Sequence, residues 1–103
     1  MGPPAPLTRP RCALTIAGTD SGGGAGVAAD LKTFHALGVH GAMAVTAVTA
    51  QDTLGISAVH GVPAALVAEQ MARVAGDLGV DAAKTGMLGS EEVVRAVAGA
   101  VRT

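Results

Sequence analysis

The sequence predicts an α/β fold with a mostly parallel sheet, on three observations. Short apolar runs alternate with longer segments whose apolar residues recur every three or four positions, the pattern of strands joined by helices. The first run, Ala13 to Ala17, ends in a glycine-rich stretch, Gly18-Thr19-Asp20-Ser21-Gly22-Gly23-Gly24-Ala25-Gly26, before a helical segment begins. The run Ala42 to Thr49 is nearly continuous in small and β-branched residues, as in a strand covered on both faces.

Residues 1–11 carry Pro3, Pro4, Pro6 and Pro10 and no continuous apolar stretch, so they read as a disordered Pro-rich tail rather than a signal peptide. Residues 12–103 read as one domain, without an internal repeat or linker. Cys12 opens the first strand as a small buried hydrophobe, and a lone cysteine cannot form an internal disulfide, which fits a cytoplasmic location. The helix expected from Ala25 to Leu37 has Val27, Leu31 and Phe34 on one stripe with Leu37 at its edge. Asp30 falls between Phe34 and Leu37, toward the core side.

Ala42 to Thr49 is expected to be a central parallel strand, with Gln51 and Asp52 directly after it, of which Asp52 reads as an ordinary turn residue ahead of Thr53-Leu54-Gly55. Ile56 to Val62 is a short strand stopped by Pro63, the first residue of a helix with Val67, Met71, Val74 and Leu78 inward and Gly79 as its stop. On that helix Glu69 and Arg73 have the spacing of an exposed pair. Val80 to Thr85 forms the next strand, followed by Gly86-Met87-Leu88-Gly89. Ser90 then caps a helix whose first turn holds Glu91 and Glu92 and whose stripe is Val94, Val97 and Val101. The order is β-α-β-β-α-β-α.

Composition excludes several functions. Half of the 103 residues are apolar, enough for a core, yet Phe34 is the sole aromatic residue and the formal charge is -1. Nucleic acid is therefore not an expected partner, since stacking platforms and a basic footprint are both missing. No apolar run reaches the roughly 18 residues of a membrane span. His35, His40 and His60 show no metal-ligand spacing with one another or with Cys12, so no metal site is expected. Thr19 and Asp20 precede Ser21, so the Gly-x-Ser-x-Gly of a nucleophile elbow is not met. Lys84 interrupts an apolar strand and is open to two readings, orienting a phosphate or snorkelling to the sheet edge.

The glycine-rich stretch bears most directly on the ligand. A strand-loop-helix junction presents backbone N–H groups and a helix N-terminus at the carboxyl edge of a sheet, where α/β proteins bind ligands. A Walker A loop requires a lysine and a hydroxyl after its last glycine, and here Gly24 follows Gly23 instead. Gly22, Gly24 and Gly26, two apart, do not make Gly-x-Gly-x-x-Gly. Asp20 within the loop would repel a phosphate, so a neutral hydrogen-bonding ligand suits the loop better. Asp30 is either structural or a ligand contact, and the helical wheel leaves both open. The ends of three strands, at Gly18 to Asp20, Gln51 and Gly86-Met87, converge with Asp30 on a pocket suited to a small polar heterocycle.

Four segments, Ala-Leu-Thr-Ile-Ala-Gly-Thr-Asp-Ser-Gly-Gly-Gly-Ala-Gly, Ala-Asp-Leu-Lys-Thr, Thr-Ala-Val-Thr-Ala-Gln-Asp-Thr and Lys-Thr-Gly-Met-Leu, closely resemble the amino-terminal part of hydroxymethylpyrimidine/phosphomethylpyrimidine kinases of thiamine biosynthesis. The resemblance runs from about Ala13 onward and has one mild departure, Asp-Ser-Gly-Gly-Gly where some members have Asp-Pro-Ser-Gly-Gly. It implies a ribokinase-like three-layer α/β/α sandwich, present here as its amino-terminal part. It also implies ATP- and Mg²⁺-dependent phosphorylation of hydroxymethylpyrimidine and then of its monophosphate, and a homodimer at full length. Carried onto matching positions, Gly18 and Ala25 would line the pyrimidine site, Asp30 and Gln51 would hydrogen-bond the substrate, and Met87 would pack on the ring. The family's Gly-Thr-Gly-Cys segment, catalytic residue and most ATP contacts belong to a carboxyl-terminal half that this sequence lacks, so no catalytic residue is expected in these 103 residues. Rival readings are a pyridoxal-type kinase of the same superfamily, a non-catalytic pyrimidine-binding or assembly module, and a dinucleotide-binding α/β domain, which the missing glycine fingerprint disfavours.

Overall fold

The computed structural model describes residues 10–102. Eight elements follow in order: β1 (Cys12–Ala17), α1 (Gly26–Ala36), β2 (His40–Val45), β3 (Ala47–Asp52), β4 (Gly55–Gly61), α2 (Ala64–Asp77), β5 (Ala82–Thr85) and α3 (Glu91–Val101). β1 is the middle strand of a parallel sheet in the order β2-β1-β5, while β3 and β4 form a separate antiparallel hairpin.

All six residues of β1 are buried, so both faces of the strand are covered. Leu14 and Ile16 point into a core built with Val67 and Met71 of α2 and Val93 and Val97 of α3. Thr15 lies on the opposite face, where α1 packs and Asp30 reaches it. The result is three layers, α1 on one side of the sheet and α2 with α3 on the other, as the family resemblance implies. At Gly41 on β2 the approach of α1 is close, because a Cβ there would meet Leu31 Cδ2 at 2.7 Å and Phe34 Cδ2 at 3.1 Å.

The expected central strand from Ala42 to Thr49 is corrected. It breaks at Thr46 into β2, which belongs to the parallel sheet, and β3, which belongs to the hairpin. Thr46 holds the corner with three bonds: its N–H donates to Ala17 O (2.9 Å), its carbonyl accepts from Val62 N–H (2.8 Å), and its hydroxyl donates to Met87 O (2.6 Å). Just before the corner, the Gln70 side chain of α2 accepts from Val45 N–H (2.9 Å) and donates to Val45 O (3.0 Å). That amide takes, at Val45, the positions a further strand would use, and among the described residues β2 pairs with β1 alone.

Helix faces differ in detail. α3 buries Val93 and Val97, with Ala100 packed beside them, whereas Val94 and Val101 are about half exposed. Leu37, expected at the edge of the α1 stripe, lies past the helix end and is 73% exposed. Ser90 caps α3 as expected, accepting from Val93 N–H at 3.2 Å. Among the described residues the i,i+4 ion pair forms at Glu91 and Arg95 (2.6 Å) rather than at Glu69 and Arg73.

The expected Pro-rich tail lies, for residues 1–9, outside the described part. Arg11, grouped with that tail, is tied into the fold: it pairs with Asp81 (3.1 Å), and its carbonyl accepts from His40 N–H. Among the described residues, no helix is long and apolar enough to cross a membrane.

Candidate functional site

The loop between β1 and α1 is folded around Asp20. One carboxylate oxygen accepts from Gly22 N–H and the other from Gly24 N–H, each at 3.0 Å. These are the backbone donors that a phosphate would take in a glycine-rich loop. Two of the loop's N–H groups are thus taken by an internal anion, and that carboxylate gives the loop a negative charge unfavourable to a phosphate.

Gly26 closes the loop. It has φ +63, and its bare Cα lies against the Gly18 carbonyl, which accepts from Val27 N–H at 3.0 Å and so starts α1. The hairpin is stitched to the same loop by hydroxyls: Thr49 N–H donates to Thr19 Oγ1 (2.8 Å), Ser21 Oγ donates to Thr49 O (2.8 Å), and Gln51 N–H donates to Ser21 Oγ (3.2 Å). These bonds carry Gln51 from a different sheet to the carboxyl end of β1. Met87 arrives after β5, and a Cβ on Gly18 would meet its Cε at 2.7 Å.

A recess of about 170 Å³ results, with Gly18, Asp20, Ala25, Gln51, Lys84 and Met87 on its walls. This is small beside the roughly 300–1,000 Å³ of sites for drug-sized ligands. A larger and shallower groove of about 500 Å³ runs along the hairpin past Leu54 and Ile56. It lacks the convergence of strand ends that α/β sites use, and the smaller recess is the better candidate.

Of the five residues the resemblance singles out, Gly18, Ala25, Gln51 and Met87 border this recess, and Asp30 does not. Asp30 Oδ2 accepts from Thr15 Oγ1 (2.6 Å) and from Lys84 Nζ (3.0 Å), so Asp30 is linked to the recess through Lys84. Asp52, expected as a turn residue, does accept from Leu54 N–H and Gly55 N–H. His35, His40 and His60 lie at the surface, none of them buried. Lys84, which the sequence leaves open between orienting a phosphate and snorkelling to the sheet edge, joins the wall of the recess. The parallel register that sets Thr15 beside Lys84 is the signal that finds the lysine.

Partial burial pushes the Asp30 carboxyl up, but the bond from Thr15 and the bond and positive charge of Lys84 outweigh it and hold the carboxyl below its ordinary value. A depressed folded-state value means that the ionised carboxylate stabilises the fold above the unfolded-state value, and that this is lost as pH falls through the folded one. Lys84→Met is therefore expected to raise the Asp30 titration midpoint, followed by carboxyl carbon NMR, and to shrink the acid-dependent loss of stability. An unchanged midpoint would contradict the pairing.

The class defined by the fold and the site is an α/β protein with a small-molecule recess at the carboxyl ends of its strands. The sequence model of the phosphomethylpyrimidine kinase family matches residues 20–103, and the chain belongs to that family. It is 54% identical over 95 residues to the hydroxymethylpyrimidine/phosphomethylpyrimidine kinase of Mycobacterium leprae, an overlap of 92% of this chain and 34% of that protein. The crystal structure of phosphomethylpyrimidine kinase from Clostridium difficile superposes with a TM-score of 0.86 at 41% identity, covering 89% of this chain and 40% of the other. Pyridoxal kinase from Bacillus subtilis, solved as an ADP complex, gives a TM-score of 0.84 at 38% identity over 91% of this chain and 36% of the other. These neighbours share the ribokinase-like fold. The chain spans about a third of the length of the curated relatives it matches.

Proposed function

We propose that this chain is the amino-terminal, substrate-side part of a cytoplasmic kinase that phosphorylates hydroxymethylpyrimidine and then its monophosphate in thiamine biosynthesis, using ATP with Mg²⁺ and acting as a homodimer at full length. The observation that carries the reading is the recess itself. Two of its loop donors, Gly22 and Gly24 N–H, are taken by Asp20, its walls include Gly18, Ala25, Gln51 and Met87, and its volume suits one small heterocycle. In this reading Gly18 and Ala25 give the ring close backbone approach, Met87 packs on its face and Gln51 serves its polar groups, while Asp30, set back from the recess, acts on it only indirectly.

Phosphoryl transfer requires positioning and neutralisation of the transferring group. Among the described residues there is no group of three or more His, Cys, Asp or Glu able to hold a metal ion, and no step is routed through Mg²⁺ here. Incubated with ATP, Mg²⁺ and hydroxymethylpyrimidine, the 103-residue chain is expected to bind the pyrimidine without phosphorylating it. Turnover above background would contradict this division of labour.

A pyridoxal-type kinase is the second reading, favoured by the likeness to the Bacillus subtilis structure. Parallel titrations with hydroxymethylpyrimidine and pyridoxal separate the two, and tighter binding of pyridoxal would select the second.

A further inference from the structure

Lys84 is a charged wall of the recess to which the proposed substrate contacts assign no role. We infer that Lys84 is a ligand-binding residue, its ammonium donating to a lone-pair acceptor on an uncharged heterocycle, with Asp30 and Thr15 as the residues that position it. The inference rests on the pocket reading above and adds a contact to it.

The placement follows from register. β1 and β5 pair in parallel with Thr15 opposite Lys84, so the two side chains leave the same face of the sheet side by side. Asp30 descends from α1 onto that face and takes both donors on a single oxygen, Oδ2, at 2.6 and 3.0 Å. An ammonium has three N–H donors. One goes to Asp30, and among the described residues the other two have no protein partner. The side chain therefore does not simply snorkel to the sheet edge, because its head is turned back under α1 and borders the recess. Gly86 keeps that border open: a Cβ there would sit 3.6 Å from Lys84 Nζ and 2.9 Å from Ala17 Cβ.

Charge decides the kind of ligand. The ammonium is already matched by the Asp30 carboxylate, and Asp20 adds a second carboxylate on the recess wall. A phosphate dianion would meet no net positive field there, whereas a ring nitrogen or hydroxyl oxygen accepts from the spare N–H groups without disturbing the pair. The asymmetric use of the Asp30 oxygens fixes the carboxylate by Thr15 and Lys84 together, so Asp30 orients the donor that faces the ligand.

The experiment uses the fact that Lys32 and Lys84 are the two lysines of the sequence. Lys32 Nζ donates to Gly23 O, away from the Asp30 pair, and serves as an internal control. With lysine labelled at carbon, the 103-residue chain is titrated with hydroxymethylpyrimidine while the Cε signals and backbone amides are followed. The expected result is a saturable shift of the Lys84 signal together with Gly18, Gln51 and Met87 amides, and a still Lys32 signal. Lys84→Met, checked for an otherwise unchanged amide spectrum, should weaken binding about ten-fold or more, the scale of a lost charged hydrogen bond. Lys84→Arg should restore part of it. Amide shifts at the recess with a still Lys84 signal would overturn this inference and leave the pocket reading standing. No amide shift at the recess would overturn both. A Lys84 shift with inorganic phosphate that exceeds the shift with the pyrimidine would replace the neutral ligand with an anion.

Discussion

Gly26→Ala is expected to destabilise the chain by about 2–3 kcal/mol and to abolish ligand binding at the recess. Two effects add. An L-residue at φ +63 carries a left-handed penalty of about 1–2 kcal/mol. The new Cβ would also be driven into the Gly18 carbonyl, and moving that carbonyl breaks the 3.0 Å bond from Val27 that begins α1, worth about 1 kcal/mol. Gly38→Ala is the control: Gly38 has φ +75, and a Cβ there would meet nothing within 4 Å, so only the conformational penalty applies. Urea unfolding of both variants checks the difference. Equal losses would mean that the close approach to Gly18 contributes nothing.

Leu14→Ala carries the other large effect, a loss of about 3–4 kcal/mol. Leu14 is fully buried in the middle strand, against side chains from both α2 and α3, and neither helix can collapse into the space without leaving the other. Against a total stability of roughly 5–15 kcal/mol for a domain of this size, the variant should shift the urea midpoint far more than Leu54→Ala. Leu54 is 95% exposed, and its truncation should stay within about 0.5 kcal/mol. A Leu14→Ala loss below about 1 kcal/mol would contradict a single core shared by the two helices.

The alternation of strands and helices, apart from the strand that divides at Thr46, and the glycine loop are legible in the sequence because both depend on local chemistry. Glycine clusters, the Ser90 cap and the Val67 and Met71 stripe act over a few residues. Thr46 is not legible as a break. A run of small and β-branched residues favours extended backbone on either side of a corner, and the bonds that make the corner come from Ala17, Val62 and Met87. The inward face of α3 differs from the expected one by one position at each end, Val93 and Ala100 in place of Val94 and Val101, because neighbouring apolar residues are alike in sequence and only packing distinguishes them.

The site shows the same division. The Asp20 carboxylate reads from the sequence as incompatible with phosphate, and its bonds to Gly22 and Gly24 give the reason in geometry. The helical wheel sets Asp30 on the core side, yet its partner is 54 residues away in sequence. Neither the wheel nor the apolar strand pattern around Lys84 contains that pair. It becomes visible once β1 and β5 are set in register.

Titration of the 103-residue chain with hydroxymethylpyrimidine, read by calorimetry and by amide shifts in one sample, tests the central claim most directly. The expected result is saturable one-to-one binding with shifts confined to the loop from Gly18 to Gly26, Gln51 and Met87. Absence of binding, or shifts confined to the Leu54 and Ile56 groove along the hairpin, would contradict it.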